Sequence, residues 1–239
     1  EVLRLPETDL DAGVRAKATS RLPAVLSVEE TARLLEAMSG TARLMAEVTY
    51  GGGLRVMECC RLRVKDVDFE NDLLFVRDGK GGKDRSTLLA KSVKERLQAH
   101  LARVKRLHEQ DLAAGAGEAR LPDALERKYP LAGRDWGWQF VFPSQQLSVD
   151  PRGGKVRRHH VSDAMLQAAV KEAVAKAQAK AQETVDQQFQ VVLGKIDWTK
   201  YEPGLKESLN ALSPTQKADF VAEALARTAF RKSSVTPRS

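Results

Sequence analysis

The stretch YGGGLRVMECCRLRVKDVDFENDLLFVRDGKGGKDRSTLL, residues 50–89, decides the fold. Gly51, Gly52 and Gly53 end one helix and permit backbone angles close to a ligand that other residues resist. Arg55 follows them and opens a short helix over residues 56–62. A guanidinium there can grip two phosphate oxygens at once, or it can sit in solvent as an ordinary helix-terminal arginine. The pattern then shifts to period two. Val64, Val67 and Phe69 alternate roughly with Lys65, Asp66 and Asp68, "END" makes a turn, "LLFV" is a second strand, and DGKGGKD turns again into RSTLL. This predicts a three-stranded antiparallel meander with Lys80 at a hairpin tip.

Helical spacing surrounds this meander. Ser27 and Glu30 form a capping-box pattern ahead of Leu34, Leu35 and Met38, which predicts a helix ending at Gly40. A second helix is expected over 41–50. A long one is expected over about 92–114, where Val93, Leu97, Leu101, Val104 and Leu107 recur at helical spacing. Residues 115–160 read as irregular, with a short helical piece in LPDALERKY and an aromatic cluster, WGWQFVFP. Ser162 caps an Ala-rich helix that runs past Lys180, and Ser213-Pro214 signals a last helix. The fold class is mostly α, or α+β: a helical core with a small three-stranded antiparallel sheet and a helical tail.

The chain of 239 residues carries a net charge of +7, which fits a polyanionic partner. Its 42% hydrophobic content is that of a globular domain with a real core. The two cysteines, Cys59 and Cys60, are adjacent and have no second pair to bridge, so a reducing, cytoplasmic setting is expected. No apolar run approaches a membrane span. His159 and His160 lack further ligands at metal spacing, so neither a metal nor a cofactor is expected.

The combination YGGGLRVMECCRLRVKDVDF and GKGGKDR resembles the first half of the catalytic domain of tyrosine recombinases, the phage integrase family. LPDALERKYP, WGWQFVFP and DPRGGKVRRHHV resemble the extra segment of integron integrases within that family. The likeness covers roughly residues 20–178. It implies a DNA phosphodiester attacked by a tyrosine, with Arg55 stabilising phosphate charge, Lys80 protonating the leaving oxygen and Glu58 supporting the arginine. Lys83 and Arg85 would then be phosphate contacts. The integron-like segment implies recognition of folded single-stranded sites through protruding bases, with Trp138, Pro151, His159 and His160 at base-contacting positions. Stacking on an indole or imidazole suits an extruded base. Arg157 and Arg158 stand beside these histidines as DNA-binding candidates. Two other readings stay open from the residues alone: Trp136 and Trp138 as core, and the vicinal histidines as a solvated basic face.

The resemblance stops near residue 178. The family pattern would continue into a His-x-x-Arg box and a nucleophilic tyrosine, and residues 179–239 contain neither motif. The one literal His-x-x-Arg, His100–Arg103, lies in the long helix and reads as a polar pair on its surface. Tyr201 is the single tyrosine after residue 178 and matches no nucleophile motif. The expected organisation is a linker or clamp-domain remnant over 1–22, a partial catalytic domain over 23–178 with the insertion at about 115–160, and a helical tail over 179–239. The expected function is DNA binding in a recombination lineage without independent cleavage, on folded single-stranded or double-stranded sites. Two alternatives are an interaction protein that modulates an intact integrase, by association with it or with itself, and a non-functional remnant.

Overall fold

The computed structural model describes residues 25–233, apart from Lys80 and Pro203. The expectations for residues 1–22 and for Lys80 therefore lie outside the described residues. Helix α1, Val28–Ala37, begins as its sequence dictates. The Ser27 hydroxyl accepts from the Glu30 amide at 3.1 Å, and the Glu30 carboxylate accepts from the Ser27 amide at 2.8 Å. Helix α2, Gly40–Gly51, runs into the glycine turn. Gly53 takes φ +57°, a left-handed conformation that side chains rarely adopt. A Cβ on Gly51 would stand 2.9 Å from that of Ala90, so this turn packs directly under the end of the meander. The short helix α3, Val56–Cys60, follows at once.

The meander forms in the order β1 (Val67–Asp68), β2 (Leu73–Val76) and β3 (Arg85–Leu88), all antiparallel. Its register pairs Val67 with Leu74, Leu73 with Leu88, and Val76 with Arg85. Strand β1 is shorter than the period-two pattern suggests. Residues 62–64 are already engaged elsewhere: the Val64 amide donates to the Gln139 carbonyl and the Leu62 carbonyl accepts from Val141. Arg63 forms an isolated bridge with Phe140. Tertiary pairing with residues 139–141 thus outcompetes continuation of the sheet, and Val64–Asp66 closes as a 3-10 turn.

Helix α4, Lys91–Ala113, crosses the core. His100 faces inward from it, contrary to the surface reading of His100 and Arg103. The imidazole is 6% exposed and its Nε2–H donates to the Val141 carbonyl at 2.8 Å. Burial lowers its pKa, which keeps it neutral. Residues 115–160 hold helix α5, Asp123–Lys128, and a small hairpin of β4 (Ser148–Val149) and β5 (Val156–Arg157) that periodicity did not reveal.

Helix α6, Asp163–Gly194, is 32 residues long, about 48 Å at the standard rise. Its first third packs Leu166 and Ala173 into the main core with Met45, Val48, Cys59, Leu74, Leu97 and Phe142. Its last turns carry Phe189 and Leu193 into a second, smaller core with Val221. Helices α7, Leu205–Asn210, and α8, Pro214–Ser233, complete that unit. The architecture is mostly helical with one three-stranded antiparallel sheet, as the sequence predicts. No described helix is long and apolar enough to cross a membrane.

Candidate functional site

The glycine turn delivers Arg55 to the start of α3, and one turn later the same helix places Glu58 beneath it. The Glu58 carboxylate accepts from the Arg55 amide at 2.8 Å and from Arg55 Nη1 at 2.8 Å. Across the sheet, Arg85 at the start of β3 donates to both Glu58 oxygens, at 2.9 and 2.7 Å. One carboxylate therefore clasps two guanidiniums, one from the start of its own helix and one 27 residues further along the chain. The Glu58 side chain is 9% exposed, Arg85 36% and Arg55 57%. Arg55 is anchored along one edge and presents the rest of its planar donor fork to solvent, a geometry suited to phosphate oxygens. Lys83 is exposed beyond β3, where its carbonyl closes the hairpin turn by accepting from the Gly79 amide at 3.1 Å.

The Arg85 hydrogen bonds, helped by those from Arg55, lower the Glu58 pKa from an ordinary 4.5 to about 2, against the opposing effect of burial. A depressed carboxylate pKa stabilises the fold above pH 4.5, and that contribution is lost as pH falls from 4.5 towards 2. Solvent screening of the exposed arginines reduces it to about 1 kcal/mol. Glu58→Gln is expected to flatten the acid side of the stability profile by that amount. Urea melts between pH 5 and pH 2.5 check this, and identical slopes in the two proteins would refute it.

Residues 115–160 build a second constellation with the segment after α3. Trp136 packs against the main core, but Trp138 does not, and it is half-buried instead. The Lys65 ammonium lies 3.2 Å from the centroid of the Trp138 ring. Arg63 stands 5.5 Å from the Trp138 ring and 4.6 Å from that of Phe140. Phe140 meets the His160 ring edge-on at 5.2 Å, and His159 and His160 stack at 4.0 Å. The result is a ladder of cations and rings: Lys65, Trp138, Arg63, Phe140, His160, His159. Burial lowers the His160 pKa, which favours a neutral ring whose face can stack. His159 is exposed at the open end, as is Pro151 in the β4–β5 turn.

Arg157 and Arg158 do not project freely. Arg158 donates to both carboxylate oxygens of Asp111, and to the carbonyls of Ser144 and Gln145 at 2.9 and 2.8 Å. Arg157 donates to Glu126 at 2.6 Å. Both guanidiniums tie the hairpin to α4 and α5. Among the described residues, no group of three His, Cys, Asp or Glu side chains is arranged to hold a metal ion.

A model of the phage integrase family matches residues 24–187. The chain belongs to that family, the tyrosine recombinases. An integrase/recombinase from Escherichia coli is 46% identical over 160 residues, covering 67% of this chain and 48% of that protein. One from Pseudomonas aeruginosa matches to the same extent. Tyrosine recombinase XerA from Thermococcus kodakarensis is 41% identical over 88 residues, 36% of this chain and 31% of that one. The chain thus spans about half the length of the curated relatives it matches most extensively. A crystal structure of XerA recombinase aligns over 94% of this chain and 68% of its own at 20% identity, with a TM-score of 0.40.

In this integrase-family chain, Arg55 and Glu58 come together with Arg85, while Trp138, His159 and His160 share one ladder. Arg63 and Lys65 were missed as functional candidates. A cation at every second position, Arg61, Arg63 and Lys65, was the available signal.

Proposed function

We propose that this chain binds folded single-stranded recombination sites in the manner of an integron integrase, and that it does not cleave DNA by itself. The ladder from Lys65 to His159 carries the reading. It offers ring faces to extruded bases and places cations between them for the adjoining phosphates. The clasped pair Arg55 and Arg85, with Lys80 and Lys83, would engage the backbone near the scissile phosphate, and Arg157 and Arg158, paired with Glu126 and Asp111, would brace the hairpin beside the bases. Charge stabilisation and binding can persist without a nucleophile, but a covalent intermediate cannot form. Tyr201, beyond the resemblance, is 54% exposed beside Trp198 in the small helical unit.

Under this reading residues 179–239 form a separate helical module grafted onto a truncated catalytic domain. The self-contained core of that module supports a second role, entry into assemblies of intact integrase. Titration of a hairpin with protruding bases, beside the same hairpin without them, tests both. Trp138→Ala is expected to weaken binding to the first about tenfold or more and to leave the second unchanged. Equal, steeply salt-dependent binding to both hairpins would reduce the interaction to net charge. A protein–DNA adduct that survives denaturation would overturn the inability to cleave. Repeating the titration with intact integrase present should yield a mixed complex if the module docks, and none if it does not.

A further inference from the structure

One rung of the ladder is already filled. The Lys65 ammonium stands over the Trp138 ring, 3.2 Å from its centroid. Stacked rings lie about 3.5–4 Å apart, the contact distance of carbon atoms. The ammonium therefore fills the slot that a base stacked on that face would take. Two features lead it there. The Val64 amide donates to the Gln139 carbonyl at 3.0 Å, which lays the Lys65 segment beside the one that carries the indole. Gly137 puts no side chain between them: a Cβ there would stand 3.5 Å from the Lys65 Cβ.

The ammonium is held there weakly. Among the described residues it has no carboxylate partner: Asp66, the neighbouring acid, is buried and paired with Arg77 at 3.3 Å. Burial lowers the Lys65 pKa, Asp66 opposes this, and Arg63 and Arg77 add to it, so the charge is not at ease on the ring. The side chain is exposed and swings on a flexible four-carbon stem. Arg63 cannot leave in the same way, because Nη1 and Nη2 are spent on the Trp138 and Arg120 carbonyls. An exposed cation on an indole is worth less than a base stacked on an aromatic ring, so exchange of one for the other favours the base. We infer that Lys65 sets the selectivity of the ladder: its ammonium caps the Trp138 face in the free protein, and a protruding base has to displace it in order to stack. This rests on the proposed recognition of protruding bases and names a residue that tunes it.

Two substitutions in the full chain test the exchange. Each variant is titrated with a DNA hairpin carrying a protruding base and with the same hairpin lacking it, in about 0.5 M salt, where contacts to phosphate are screened. The ratio of the two affinities then isolates the base. Lys65→Ala is expected to raise that ratio about two- to fivefold, since no ammonium has to be displaced. Lys65→Arg keeps the charge but lays a planar guanidinium on the ring, and is expected to lower the ratio. A ratio that Lys65→Ala leaves unchanged would put the base on another face, and one that it lowers would make Lys65 a direct base contact; either result overturns the exchange. So would both variants moving the ratio the same way. The cap itself is read without DNA, from the Trp138 indole N–H signal in NMR, assigned by its loss in Trp138→Phe. That signal is expected to shift in Lys65→Ala, and one that stays in place overturns the cap. Hairpins that the native chain binds alike would defeat the recognition reading and the exchange with it, whereas a native preference that Lys65→Ala does not raise strikes the exchange alone.

Discussion

Replacing Phe189 by alanine is expected to unfold the C-terminal helical unit and leave the integrase core standing. Phe189 is fully buried, meets Phe220 edge-on at 5.6 Å, and among the described residues shares its cluster of buried residues with Leu193 and Val221. Truncating a buried phenylalanine costs about 3–5 kcal/mol. A core this small cannot absorb such a loss, whereas the main cluster around Met45, Leu74, Leu97 and Phe142 does not touch it. Helix α6 joins the two, yet its main-core contacts lie towards its first third, through Leu166 and Ala173. Hydrogen exchange should thus show lost protection in α7, α8 and the last turns of α6, with α4 unaltered. Loss of protection in α4 to the same extent would mean that the two cores fold as one, and would remove the basis for treating residues 179–239 as a module.

What could be read from the chain divides along the range of the interactions. The capping box at Ser27, the cap at Ser213 with Gln216, the meander and the long α4 are all set by residues within a turn or two of one another. Arg55 and Glu58 belong to the same class, since three residues separate them on one helix. The remainder of the site is long-range. The Arg85 pairing with Glu58 spans 27 residues, the Arg157 pairing with Glu126 spans 31, and that of Arg158 with Asp111 spans 47. No periodicity encodes such partners, so a basic stretch such as Arg157-Arg158 reads as a bare positive patch when its charge is in fact largely matched. His100 was misread for a related reason. A histidine on an amphipathic helix looks solvated until the Val141 carbonyl that receives its proton is brought beside it by the insertion. The β4–β5 hairpin pairs two residues from each strand and lies below what alternation can signal.

Arg63→Ala is expected to cost about 3 kcal/mol, to loosen the aromatic wall of residues 115–160 and, with it, to abolish the proposed preference for protruding bases. Arg63 Nη1 donates to the Trp138 carbonyl and Nη2 to the Arg120 carbonyl, at 2.5 and 2.8 Å. Its guanidinium also lies over the Phe140 ring, beside the backbone bridge between the two residues. Removal strands two part-buried carbonyls at about 1 kcal/mol or more each, and forfeits a cation–π contact of about 1 kcal/mol. For a chain of this size that corresponds to a fall in Tm of roughly 6–12 °C. Lysine should not rescue it, because one ammonium cannot span two carbonyls that a planar fork reaches together. Lys65→Ala removes a ladder cation that is exposed, and should alter hairpin affinity with little change in Tm. This contrast separates holding the wall from touching the ligand. Arg63 follows α3 within three residues, so the segment that presents Arg55 also fastens the ladder of rings and cations to the core. If Arg63→Ala melts like the native chain and still prefers protruding bases, the link between those two surfaces does not run through this arginine.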